Sequence, residues 1–283
     1  MQLALCNEMF GNIALGEVAR RIKRYGYKAL EVAPFTLGTA PLSVDAKPIR
    51  EAVEKTGLRI MGLHWLLAKT TGLHAASPDD AVRKKTVAHL IGLADLCKAF
   101  GGDIMVFGSP AQRSTPLRQA QGGEQCRTAD GQSRSDTVKR LTDTFAEVGT
   151  ACKERGVYLC IEPLTPKETD VINSAAEAVA IIEQINNPYV RLHLDVKAMA
   201  AETKPAADVI RANARYLKSF HSNDTNLLGP GMGSVDHKPI IAALKDIGYS
   251  GYVSVEVFDY TPGPDEIARQ SAKYLKGLLA KKA

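Results

Sequence analysis

No stretch of 18 consecutive apolar residues occurs in the 283-residue chain, and its first residues lack a basic-then-apolar leader pattern. Neither a spanning helix nor a secretory signal is therefore expected, and the default is a soluble, cytoplasmic protein without a membrane partner. Cysteine is scarce: Cys6, Cys97, Cys126, Cys152 and Cys160, an odd number without C-x-x-C spacing. That argues against a thiolate zinc site and a disulfide scaffold. Four of the five lie in apolar contexts and read as reduced core residues; Cys126 sits in a polar stretch. Coiled-coil heptads, a collagen period and long low-complexity tracts are also missing. The net charge of +5 is spread along the chain, with no basic arm or stripe, so nucleic acid is not an expected partner.

What is present is ordinary globular composition, 45% hydrophobic and 24% charged, in a chain long enough to bury a large core. Strand-like runs fall at residues 2–6, 28–32, 59–63, 103–107, 157–161, 190–194, 217–220 and 252–257. Amphipathic helical stretches alternate with them at 14–25, 46–56, 79–100, 135–155, 174–187, 205–214, 237–247 and 264–280. Ser77 and Ser174 are candidate N-caps. Gly26, Gly57, Gly101, Gly156 and Gly248 sit near helix ends, where a left-handed residue closes a helix.

Eight strands alternating with eight helices imply right-handed βαβ units and a parallel sheet. The fold class is therefore α/β, as a (β/α)8 barrel forming a single domain over 1–283. An open doubly wound sheet needs a phosphate loop. The first strand instead runs into C-N-E-M-F-G-N, not G-x-G-x-x-G. One segment breaks the rhythm: residues 110–134 are polar and rich in Gln, Gly and Arg. They read as a long loop after the fourth strand, a lid or a tolerated insertion.

In such a barrel the site lies where strands end. The fifth strand ends at Glu162, the sixth at Asp195, the seventh at His221 and the eighth at Glu256. A charge ending a buried strand is costly unless something binds it. Three carboxylates on neighbouring strands also repel one another, and a divalent cation relieves both costs. Three carboxylates and an imidazole suit Mn²⁺, Mg²⁺ or Co²⁺.

These positions carry a resemblance over essentially the whole chain. I-E-P at 161–163 with Glu168 beyond it, L-H-L-D at 192–195, F-H at 220–221, G-P-G-M-G-S-V-D at 229–236 and V-E-V at 255–257 resemble the xylose-isomerase-like barrels. Within them, the chain looks like the ketose 3-epimerases of the tagatose/psicose type. The resemblance implies one divalent metal, Mn²⁺ first, on Glu162, Asp195, His221 and Glu256. It implies a sugar isomerase or epimerase working through an enediolate, with Glu162 and Glu256 as the acid/base pair. It also implies a small carbohydrate substrate, Glu168 against substrate oxygens, and a homo-oligomer (dimer or tetramer) as an option.

Two positions depart from the epimerase pattern, with Ala198 where a histidine is usual and Leu227 where an arginine is usual. An apurinic endonuclease also needs a histidine at position 198. Lys197, Asp224 and Asn226 are the candidate replacements for the lost substrate contacts, and His64-Trp65 is a candidate wall of the sugar pocket. Glu8 and Glu31 are expected as barrel-mouth ion pairs, His193 as a hydrogen-bonded barrel histidine, and the glycines at 229, 231 and 233 as a loop close to ligand. Two alternatives share or forgo this chemistry. One is a metal-dependent keto-sugar or keto-inositol lyase (inosose-dehydratase-like or C-glycoside-cleaving). The other is a non-catalytic sugar-binding barrel or partner subunit.

Overall fold

The computed structural model describes residues 1–113 and 133–280. Each apolar run forms a strand paired in parallel with its neighbours in chain order, and the eight close into a barrel. The strands are β1 (Gln2–Cys6), β2 (Ala29–Val32), β3 (Arg59–Leu63), β4 (Ile104–Phe107), β5 (Tyr158–Ile161), β6 (Val190–Asp195), β7 (Leu217–Ser222) and β8 (Tyr252–Val255). The helices among the described residues are α1 (Leu15–Lys23), α2 (Ala46–Glu54), α3 (Asp80–Ala99), α4 (Arg134–Arg155), α5 (Ala175–Ile185), α6 (Val196–Met199), α7 (Ala206–Ala212), α8 (His237–Asp246) and α9 (Pro264–Leu279).

The strand period of two sorts the side chains. Leu3, Leu5, Leu30, Val32, Leu159, Ile161, Leu192, Leu194, Phe220, Val253 and Val255 face the helices and join the main core. Each such side chain, fully buried, contributes about 1.5–3 kcal/mol. The alternate positions face the barrel axis. There a small plug of Ala4, Ala29, Met61, Ile104, Val106 and Cys160 fills the interior. Cys6, Glu31, His193, Asp195, His221 and Ser254 take the same inward register, all nearly inaccessible.

Three local expectations change. Strand β8 stops at Val255, which puts Glu256 just past the end of the ladder. The helix expected at 79–100 is capped by Asp79, whose carboxylate accepts from Ala81 N–H at 2.8 Å, while the Ser77 hydroxyl accepts from Asp79 N–H. The connection after β6 holds a ninth helix, the single turn α6, because Asp195 itself caps it by accepting from Ala198 N–H at 2.8 Å. Ser174 caps α5 as expected, and Gly156 closes α4 at φ 70°. Of the expected 110–134 loop, Pro110–Gln112 form a 3-10 turn, Arg113 is fully buried and Ser133 caps α4. Residues 114–132, with Cys126, lie outside the described residues.

Candidate metal centre and active site

Glu162, Asp195, His221 and Glu256 each bring one ligand atom to a point where all four lie within 4.8 Å of one another. Glu162 follows β5 with its N–H bound to Phe107 O at 3.1 Å. Its carboxylate fills space that a side chain at 108 would need: an ideal Cβ on Gly108 would stand 2.3 Å from Oε2. Asp195 is held through both oxygens, Oδ1 by Ala198 N–H and Oδ2 by the Asn223 amide at 2.5 Å. His221 places Nδ1 3.0 Å from Glu256 Oε2 and Nε2 3.0 Å from Glu31 Oε2. The Glu31 side orients the ring and leaves Nδ1 towards Glu256; a carboxylate behind the ring is the usual support for a metal-binding histidine.

Around them lies a buried polar shell. Glu8, Glu31, Glu162, Asp195 and Glu256 share the barrel mouth with His64, His193 and His221, so carboxylates outnumber imidazoles. Burial, then Glu256 and Asp195, pushes the Glu162 carboxyl well above its ordinary value. Burial and Glu256 raise Asp195 to about 6. Burial opposes the charge on Glu256 too, but His221 and hydrogen bonds from His221 and His64 outweigh it and hold that carboxyl well below its usual range. The excess of negative charge, the oxygen-rich donor set and the room made by Gly108 together fit a divalent cation.

A cavity of about 350 Å³ opens above this floor, lined by His64, Trp65, Glu162, Glu168, Lys197, Glu256 and Phe258 among others. That volume is within the range of small-molecule sites. The Trp65 and Phe258 rings stack at 6.2 Å. Lys197 pairs with Glu168 at 2.7 Å and lies 4.2 Å over the Phe258 ring. His64 and Trp65 both reach the cavity, and each also contacts Glu256.

Asp224 and Asn226 do not line it. Asp224 is fully buried and accepts from the N–H groups of Thr225, Ser234 and Val235. Asn226 bonds Met232 O and Leu228 N–H. Both shape the 224–235 loop, and a Cβ on Gly233 would meet the Asp224 carboxylate at 2.4 Å. Gly233 brings backbone to Asp224, while Gly229 packs against Ser271 and Ile267 and Gly231 against Tyr274, so none of the three faces the ligand cavity. Leu227, at φ 72°, points outward and is 43% exposed.

His193 is a second correction. Neither ring nitrogen has a hydrogen-bond partner among the described residues. Its ring meets that of His221 at 4.1 Å, and burial with His221 holds it uncharged. Glu8 and Glu31 do form ion-pair contacts, with His64 and His221 respectively. Sequence reasoning missed Asn223, directly after β7, and Arg113, whose guanidinium donates to the carbonyls of Gly108, Glu162, Val171 and Ile172. Cys6 is a free, buried cysteine as expected, and its thiol lies 3.4 Å from Ser254 Oγ on the floor of the polar shell.

Fold and site together define a (β/α)8 enzyme class with its chemistry at the carboxyl ends of the strands. The chain belongs to the xylose isomerase-like TIM barrel family, whose model matches residues 19–278. It is 29% identical to a D-psicose 3-epimerase of Agrobacterium fabrum, over 88% of this chain and 81% of that one. A crystal structure of D-psicose 3-epimerase in the presence of D-fructose superposes with a TM-score of 0.84 at 21% identity, over 99% of this chain and 100% of the other. The 3-keto-D-glucoside 4-epimerase of E. coli gives 0.84 at 19% identity, over 98% and 99%. The two structural likenesses show the shared fold.

Proposed function

We propose that this protein is a divalent-metal-dependent isomerase or epimerase of a ketose or other keto-sugar. The observation that carries the reading is the convergence of Glu162, Asp195, His221 and Glu256 within 4.8 Å, with Glu162 and Glu256 lining a cavity. Those four residues would hold the cation, with Mn²⁺ the first choice and Mg²⁺ or Co²⁺ next. Bound there, it would polarise a substrate carbonyl and acidify the adjoining C–H bond. Glu162 and Glu256 would remove and return the proton. Trp65 and Phe258 offer flat apolar faces to the C–H side of a sugar ring. Glu168 and Lys197 offer hydrogen bonds to its hydroxyls. Because Lys197 is already paired with Glu168, it favours a neutral sugar over a phosphorylated one.

One observation favours a keto-sugar lyase as the second reading. The ligand set is complete, yet Ala198 and Leu227 replace the two polar residues usual in the epimerases. The test is metal content of wild type, Glu162→Gln and Glu256→Gln, with solvent-deuterium incorporation into a panel of ketoses and keto-inositols. The expected result is about one divalent ion per chain and C–H exchange in wild type alone. Loss of a hydroxyl from the labelled product would select the lyase. Failure of the wild type to bind any supplied metal would overturn both readings and leave a sugar-binding barrel.

A further inference from the structure

We infer that Glu8, His64 and Trp65 form a positioning unit that holds one oxygen of Glu256 in place, freeing the other for the metal centre. This rests on the role proposed above for Glu256. Residue 256 lies just past β8, where backbone pairing no longer constrains it. Its two oxygens face different partners. Oε2 lies 3.0 Å from His221 Nδ1, on the ligand side. Oε1 accepts from the Trp65 indole N–H at 2.6 Å and lies 3.1 Å from His64 Nδ1. Behind the imidazole, Glu8 Oε2 stands 3.1 Å from Nε2.

The His64 side chain is fully enclosed, Glu8 is 1% exposed and Glu256 4%. No hydrogen-bond partner for either Glu8 oxygen is found among the described residues, so the ion-pair contact with His64 is what supports it. A carboxyl group enclosed in this way is costly unless paired. The pair admits two proton arrangements. An imidazolium lies beside an ionised Glu8, or a neutral ring protonated at Nδ1 lies beside a protonated Glu8; in either case Glu8 makes an ion-pair-range contact with Nε2 and not a hydrogen bond. Both leave an N–H at Nδ1 directed to Glu256.

Trp65 supplies a separate observation. It sits at φ 52°, a conformation that bulky residues avoid unless their surroundings impose it. The surroundings are the Glu256 carboxylate, the stacked Phe258 ring and the Phe35 ring at 5.7 Å. The backbone is turned so that the indole N–H reaches Glu256, which wall-building alone does not require.

Trp65 is the chain's single tryptophan, so its indole N–H gives one assignable signal. In the Mg²⁺-loaded protein that ¹H–¹⁵N resonance is expected downfield and slow to exchange with solvent. Glu8→Gln should shift it and speed its exchange, while Glu54→Gln at the exposed end of α2 leaves it unchanged. Trp65→Phe keeps the ring and removes the donor. It should lower kcat about 10- to 100-fold, with KM within about threefold and metal stoichiometry intact. An indole N–H that exchanges freely in wild type, or ignores Glu8→Gln, overturns the inference. So does a Trp65→Phe variant that raises KM at unchanged kcat, since Trp65 would then only wall the substrate. If the resonance responds as expected but no keto-sugar is turned over, the positioning unit stands and the proposed reaction falls.

Discussion

Gly108 shows how much one absent side chain decides. Nothing in its sequence context, V-F-G-S-P, marks it as part of the site, yet the Glu162 carboxylate occupies the space a Cβ would take. Gly108→Ala should push that carboxylate out of the ligand group. Deuterium exchange into substrate is expected to fall by about 100-fold, because displacements near 1 Å cost that much. Metal titration should weaken in parallel, and a variant with wild-type metal affinity and exchange would show that Glu162 tolerates the shift. Glu162, Asp195, His221 and Glu256 are each legible in the sequence as candidate ligands, since a polar group at the end of an apolar strand is conspicuous, and the fold brings the four within 4.8 Å. Asp224 and Asn226 were misread because a polar loop residue looks the same in sequence whether it binds its own backbone or a sugar.

Among the elements, the ends of β4 and β5 are tied together by a residue just beyond β4. Arg113 is fully buried and joins the carbonyls of Gly108 and Glu162 to those of Val171 and Ile172. A planar guanidinium serves four acceptors in a way that an ammonium group does not. Arg113→Ala removes this donor from the carbonyls of Gly108, Glu162 and Val171, while Ile172 O keeps Leu164 N–H at 3.0 Å, and is expected to destabilise the fold by about 3 kcal/mol or more. Arg113→Lys should recover only part of that. Urea unfolding of the two variants checks the order, and equal stability of Ala and wild type would remove Arg113 from the frame of the site. Its sequence setting, inside the polar Gln- and Arg-rich stretch, reads as a surface loop, and burial of one member of that stretch has no local signature.

For the whole molecule, the carboxylate excess in the barrel mouth ties metal, pH and stability together. Asp195, raised to about 6 mainly by burial and Glu256, holds its proton more tightly in the metal-free fold than a free aspartate does. A cation must displace that proton below about pH 6 and meets a free carboxylate above it. Metal affinity should therefore tighten as pH rises through about 6. At about 100 times its Kd, a supplied cation should stabilise the fold by about 2.7 kcal/mol. Thermal scans with and without Mn²⁺ at pH 5 and 7.5 test both points. A metal-induced rise in Tm that is larger at pH 5, or that survives in Glu162→Gln, would contradict the assignment.

The alternation of apolar runs and amphipathic stretches determined the barrel by itself, because eight parallel strands with eight crossovers have few ways to bury their faces. The period of two along each strand also determined which residues point inward, and so which strand ends share a mouth. Only the tertiary structure decided the support of that mouth. His64 meets Glu256 across 192 positions of sequence, and His221 meets Glu31 across 190. Such pairs leave no local pattern, since barrel closure and strand register, not neighbouring residues, bring their atoms within hydrogen-bonding distance.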